Sequence, residues 1–196
     1  RSAPALPDSW AKLAAMKNYR PGLPDFLTGE TAASLFAALI GMHGGDDPFG
    51  YLGKLHPRVI QYAKFPGIPV RMAGMRECDV AVAPLSETLR YVGDGFPVHL
   101  IHPEEGTAYL LTGAALTKHS SRSADAARFI AWAGGREAQT ALDESRYYLI
   151  PVSPDVGSYA GYDPPERLLE SHPSFAGELR KALLDRWVQT VRLQKS

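Results

Sequence analysis

Apolar runs of strand length alternate with helix-forming stretches along this chain, and proline and glycine (16 and 18 of 196 residues) stand between them. That alternation favours an α/β fold over an all-helical one, because crossover helices return the chain to a growing sheet. Ser9 is placed to cap a helix over Trp10–Met16. Gly22-Leu23-Pro24 reads as extended. A turn over Asp25–Glu30 precedes a strongly apolar helix, Thr31–Met42, which Gly44-Gly45 ends. Helices are predicted over Pro48–Leu55, Gly67–Met75 and Leu85–Val92, the last closed by Gly93. Strands are predicted over Val59–Ala63, Asp79–Ala83, Val98–His102 and Leu110–Lys118. Helices over Ser123–Trp132 and Arg136–Ser145, an extended Tyr147–Val152 and a Pro/Gly-rich, mostly loop stretch over Ser153–His172 follow. The chain closes on a long amphipathic helix, Phe175–Leu193. Leu179, Leu183, Trp187 and Val191 mark its buried stripe.

Composition narrows the function classes. The 21 basic and 21 acidic residues cancel, so no global field favours nucleic acid or an anionic membrane. No apolar run approaches the roughly 18 residues of a transmembrane helix. Arg1–Pro7 lacks the apolar core of a signal peptide, as a mature secreted chain would. The single Cys78 has no partner for an internal disulfide and is expected as a buried small hydrophobe on a strand.

The run Pro103-Glu104-Glu105-Gly106-Thr107-Ala108-Tyr109 puts acidic groups at the end of an apolar strand, beside a Gly-Thr turn, which suits a binding cleft. Glu104 and Glu105 are adjacent, so their side chains face opposite ways and do not form a catalytic pair. A second candidate is Asp25-Phe26-Leu27-Thr28-Gly29-Glu30-Thr31, a junction into a helix. Backbone N–H groups and two hydroxyls at a helix start favour an anion there; plain N-capping by Thr28 or Thr31 is the structural alternative. The six histidines show no metal-ligand spacing, and no serine-hydrolase elbow, P-loop or dinucleotide fingerprint occurs. Neither an enzyme nor a cofactor is expected.

Pro7-Asp8-Ser9-Trp10-Ala11-Lys12-Leu13 resembles the "P-x-S-W-x-D-L" opening of the second lobe in type II periplasmic solute-binding proteins. Pro24-Asp25-Phe26-Leu27-Thr28-Gly29-Glu30-Thr31-Ala32 resembles their "P-D-P-A-T-S-G-T-A" ligand loop. Leu52–Tyr62, Pro69-Val70-Arg71, Asp79-Val80-Ala81-Val82, Pro103–Thr107, Phe129–Trp132, Tyr147–Pro151 and Asp185-Arg186-Trp187 follow in the order of the ferric and phosphate-ester branch. The resemblance implies a bilobed α/β fold with mixed sheets flanked by helices, closing on a ligand between the lobes. It implies a second lobe from residues 1–108 and 156–196, and a returning part of the first lobe from 109–155. Most of the first lobe's N-terminal portion is expected to be missing.

The implied function is the periplasmic substrate-binding component of an ABC importer, capturing a small polar or anionic solute. The implied partners are that solute and an inner-membrane ABC permease, with no nucleic acid, and a homodimer through the incomplete first lobe. The alternative is a ligand-sensing domain feeding a two-component regulator. Carried over by position, the ligand residues are Thr28, Gly29, Glu30, Thr31, Gly67, Ser86, Glu105, Gly106 and Thr107. Three departures matter. Gly29-Glu30-Thr31 stands for Ser-Gly-Thr, Phe65-Pro66-Gly67-Ile68 has lost the usual serines, and Pro84-Leu85-Ser86 stands where ferric-binding members carry tandem tyrosines. Iron is therefore not the expected ligand.

Overall fold

A computed structural model describes residues 6–43, 49–153, 155–156, 165–169 and 175–194. Gly44-Gly45, Pro48 and much of the Ser153–His172 stretch lie outside the described residues. The chain divides into two compact units, Arg1–Leu110 with Pro165–Ser196, and Leu111–Pro164.

The first unit is built on three parallel strands. Its elements, in chain order, are α1 (Trp10–Ala15), β1 (Pro21–Pro24), α2 (Glu30–Met42), α3 (Gly50–Leu55) and a 3-10 turn (His56–Arg58). Then come β2 (Gln61–Ala63), α4 (Ile68–Gly74), β3 (Val80–Ala81), α5 (Leu85–Gly93) and β4 (Thr107–Ala108). The strand order is β2-β1-β3, with Gly22 opposite Gln61 and Ala81. The period-2 pleat splits the side chains between the faces. Tyr62, Val80 and Val82 join the main apolar cluster, with α2. Gly22 turns the other way: a Cβ there would meet Cys78 Sγ at 3.3 Å and Pro69 of α4 at 3.5 Å. Helices therefore cover both faces of the sheet, which is why β1 is buried along its length.

Helix α2 is the centre of this unit. Ala32, Ala33 and Leu35 through Ile40 are all buried, as expected of a helix that is apolar all round. Its Phe36 joins Phe26, Tyr62 and Trp187 in an aromatic cluster, with ring centroids 5.0–6.4 Å apart in tilted and edge-on pairs. Cys78 is buried as expected, but in the turn just before β3 and not on a strand. Burial pushes its thiol pKa up.

Short α1 illustrates how tertiary contacts rescue a helix too short to stand alone. Ser9 Oγ accepts from Lys12 N, and the Glu105 carboxylate accepts from Trp10 N and Ala11 N, all at 3.0 Å. At the other end the Arg58 guanidinium donates to the carbonyls of Leu13, Ala14, Met16 and Tyr19 at 2.7–3.1 Å. Backbone groups orphaned at both helix ends are thus satisfied by side chains distant in sequence.

In the second unit, α6 (Ser123–Ala133) packs against α7 (Arg136–Glu144). Back in the first unit, β5 (Leu168–Leu169) pairs in parallel with β4, and α8 (Gly177–Trp187) runs on into a π-helical turn, Val188–Arg192. Four sequence expectations need correction. Val98–His102 and Leu110–Lys118 are not strands, because no described segment supplies their ladder partner. The stretch 153–172, expected as mostly loop, also holds the two-residue β5. The last helix starts at Gly177 and widens at Val188, and Leu179 of its expected buried stripe is exposed.

Candidate ligand site

Sheet order β2-β1-β3 creates a switch point. The chain leaves β1 through α2 and α3 to reach β2 on one side, then passes through α4 to reach β3 on the other. In doubly wound sheets the loops at the carboxyl ends of the strands part at such a point and leave a crevice. Here those loops are 25–29 after β1, 64–67 after β2 and 82–84 after β3.

The β1 loop is tightly held. Asp25 Oδ1 accepts from Leu27 N at 3.1 Å, and the Asp25 carbonyl accepts from Thr28 N and Thr28 Oγ1 at 2.9 and 2.8 Å. The same Thr28 hydroxyl reaches the Lys64 carbonyl at 3.1 Å, and Asp25 N donates to Ala63 O at 2.8 Å, so the β1 and β2 loops are stitched together. Arg192, from the π-helical turn, grips both Asp25 carboxylate oxygens at 2.8 and 2.9 Å, and its guanidinium lies over the Tyr62 and Trp187 rings. Burial pushes the Tyr62 hydroxyl up to about 12.

Of the residues singled out from the sequence, Thr28, Gly29, Glu30, Thr31, Gly67 and Ser86 all lie on these three loops or the first turns they open. Gly29, with φ +90° and open space where a Cβ would stand, lets the backbone turn into α2. Glu30 is turned towards α8, where Arg180 Nη1 donates to both its oxygens at 3.0 and 2.8 Å. Gly67 opens α4 against α5: a Cβ would lie 2.7 Å from Glu87 Oε2 and 3.1 Å from Tyr91. Ser86 sits in the first turn of α5.

Glu105, Gly106 and Thr107 form a separate group with a structural task. The Glu105 carboxylate is committed to α1, Gly106 O accepts from Trp10 Nε1 at 2.9 Å, and Thr107 N donates to Arg167 O at 3.1 Å. Burial works to raise the Glu105 pKa, but the N–H groups of Ala11 and Trp10 hold it below the ordinary glutamate value. Glu104 goes elsewhere, to Lys12 at 3.3 Å. A hollow of about 470 Å³ beside α1 is lined by Leu6, Lys12, His99 and neighbours, and by none of the sequence-predicted ligand residues. Sequence reading missed Arg180 and Arg192. Their basic character on the last helix was visible, but their reach to loop 25–30 across more than 140 residues was not.

A family description, bacterial extracellular solute-binding protein, matches residues 1–147. An uncharacterized protein of Haemophilus influenzae is 31% identical over 171 residues, 84% of this chain and 49% of its own length. The chain thus spans about half the length of that curated relative. Among solved structures, the periplasmic binding protein AfuA of Actinobacillus pleuropneumoniae, with fructose-6-phosphate bound, superposes with a TM-score of 0.76 at 23% identity. That match covers 97% of this chain and 62% of AfuA. A Bordetella ferric binding protein superposes with a TM-score of 0.65 at 18% identity, covering 96% of this chain and 62% of its own. At these identities the two structures establish the fold alone.

Proposed function

Because this chain belongs to the bacterial extracellular solute-binding protein family, we propose that it captures a small polar or anionic solute for an ABC importer, binding without catalysis, outside the cytoplasmic membrane. The observation that carries the reading is the switch point of the parallel sheet, where the loops after β1 and β3 lead straight into α2 and α5. The N-termini of those helices supply oriented N–H groups and positive dipole ends to an anion. The hydroxyls of Thr31 and Ser86 and the backbone at Gly29 are the proposed contacts, with Gly67 keeping α4 and α5 close. Arg180 pairs with the Glu30 carboxylate at 2.8 Å and so offsets the negative charge that Glu30 would otherwise set against such a ligand. Glu105, Gly106 and Thr107 serve the site indirectly, by fastening α1 and β5. The inner-membrane permease is the proposed partner, and the exposed apolar side chains of residues 111–153 favour a homodimer of this chain.

The test is the thermal midpoint across a panel of phosphate esters, phosphonates and carboxylates. A true ligand at about a hundredfold over its Kd adds roughly 2.7 kcal/mol. A rise that grows with concentration, and shrinks in Thr31→Val and Ser86→Ala, supports the reading. A flat panel overturns it.

A further inference from the structure

Phe65 is 63% exposed, the most exposed of the large aromatic side chains among the described residues. It stands in the loop after β2, at the carboxyl edge of the sheet, and contributes nothing to the core. The carbonyl of the preceding Lys64 holds the Thr28 hydroxyl at 3.1 Å, so the backbone that carries the ring is tied to the β1 loop. The Phe65 carbonyl accepts from Ile68 N at 3.2 Å, which fixes the turn into α4. The Lys64 ammonium lies 5.7 Å from the ring centroid. The ammonium thus stands over one face of the ring, so an apolar flat surface and a positive charge occur together on the loop at the carboxyl edge of the sheet. Aromatic faces hold flat ligand faces by stacking, and a neighbouring ammonium draws an acidic substituent.

Resting on the ligand reading above, we infer that the solute is a ring-bearing anion, whose flat face stacks on Phe65 and whose acidic group is drawn by Lys64. Phe65 is the residue that selects rings over open chains. Three probes separate the parts of this inference: phenyl phosphate, glycerol 3-phosphate and inorganic phosphate, each titrated into the 196-residue chain by calorimetry. Phenyl phosphate is expected to bind about tenfold more tightly than glycerol 3-phosphate, equivalent to ~1.4 kcal/mol. Phe65→Ala should erase that preference while leaving glycerol 3-phosphate within about twofold. Phe65→Trp should keep the preference, and Lys64→Gln should weaken all three probes. Because the ring is exposed, the melting temperature of Phe65→Ala should match that of the parent chain. Equal affinity for ring and open-chain probes, or a preference that survives Phe65→Ala, overturns this inference and leaves the site reading standing. No binding of any of the three probes also overturns this inference, and the site reading falls with it only if the wider panel of phosphonates and carboxylates is flat as well.

Discussion

The unit built on β2-β1-β3 and residues 111–164 are made from similar proportions of apolar residues, yet they treat them oppositely. In the first, Phe26, Phe36, Leu55 and Trp187 are 0–1% exposed. In the second, Ala138 is the one buried hydrophobic residue among the described ones, while Phe129 and Trp132 are 58% and 47% exposed. The Phe129 and Trp132 rings lie 5.7 Å apart on α6, an aromatic pair left in solvent. Helix α6 needs only local hydrogen bonds and its neighbour α7 to form. A strand such as the one expected at Leu110–Lys118 needs a ladder partner, and a core needs cover from several directions. Secondary structure and burial are thus separate achievements, and the second unit shows the first without the second.

The largest test of that contrast is a pair of truncations. Trp187→Ala should cost about 3–5 kcal/mol in chemical denaturation, because it opens the aromatic cluster around Phe26 and Phe36. Measured at protein concentrations too low for two copies to associate, Trp132→Ala should stay within about 0.5 kcal/mol. Equal costs would break the comparison. Next comes Arg58→Ala, which leaves four carbonyls of the α1 end without their donor. A loss of about 2 kcal/mol is expected, since hydrogen bonds from a charged donor are the stronger kind. Should stability hold, α1 is carried by packing alone.

Smaller effects sharpen the picture. Light scattering behind gel filtration should give twice the 21.3 kDa chain mass if the apolar side chains of the second unit meet those of another copy. A monomer would contradict the homodimer. Glu105 makes a pH prediction with a definite sign. Its native pKa is lowered, so its contribution is complete above the ordinary value of about 4.3 and is lost as pH falls through the native value. The melting temperature should therefore fall more steeply with acid in the parent chain than in Glu105→Gln. Parallel curves would mean that the carboxylate does not support α1.

The legible parts of this sequence were those decided within a few residues. Ser9 as the cap of α1 and the apolar run of α2 needed no knowledge of distant contacts. The order of segments carried the family, and the proposal of loop 25–31 as a ligand loop rests on that family pattern. What stayed hidden was long-range. Arg58, Arg180 and Arg192 look like ordinary surface cations in sequence, and only folding brings them to α1 and loop 25–30. Glu105 read as a cleft acid because the end of an apolar run suggests one. Its two oxygens are in fact taken by N–H groups 94 and 95 residues away. Phe65 read as a lost serine, and its exposure at the sheet edge became visible only with the strand order.

The central claim is that ligand is held where the loops after β1, β2 and β3 meet. Hydrogen exchange of the chain with and without phenyl phosphate tests it most directly. Protection should rise at the first turns of α2 and α5 and through residues 64–68, with little change at Glu105–Thr107. Protection confined to the α1 hollow near Leu6 and His99, or absent at the three loops, would contradict it.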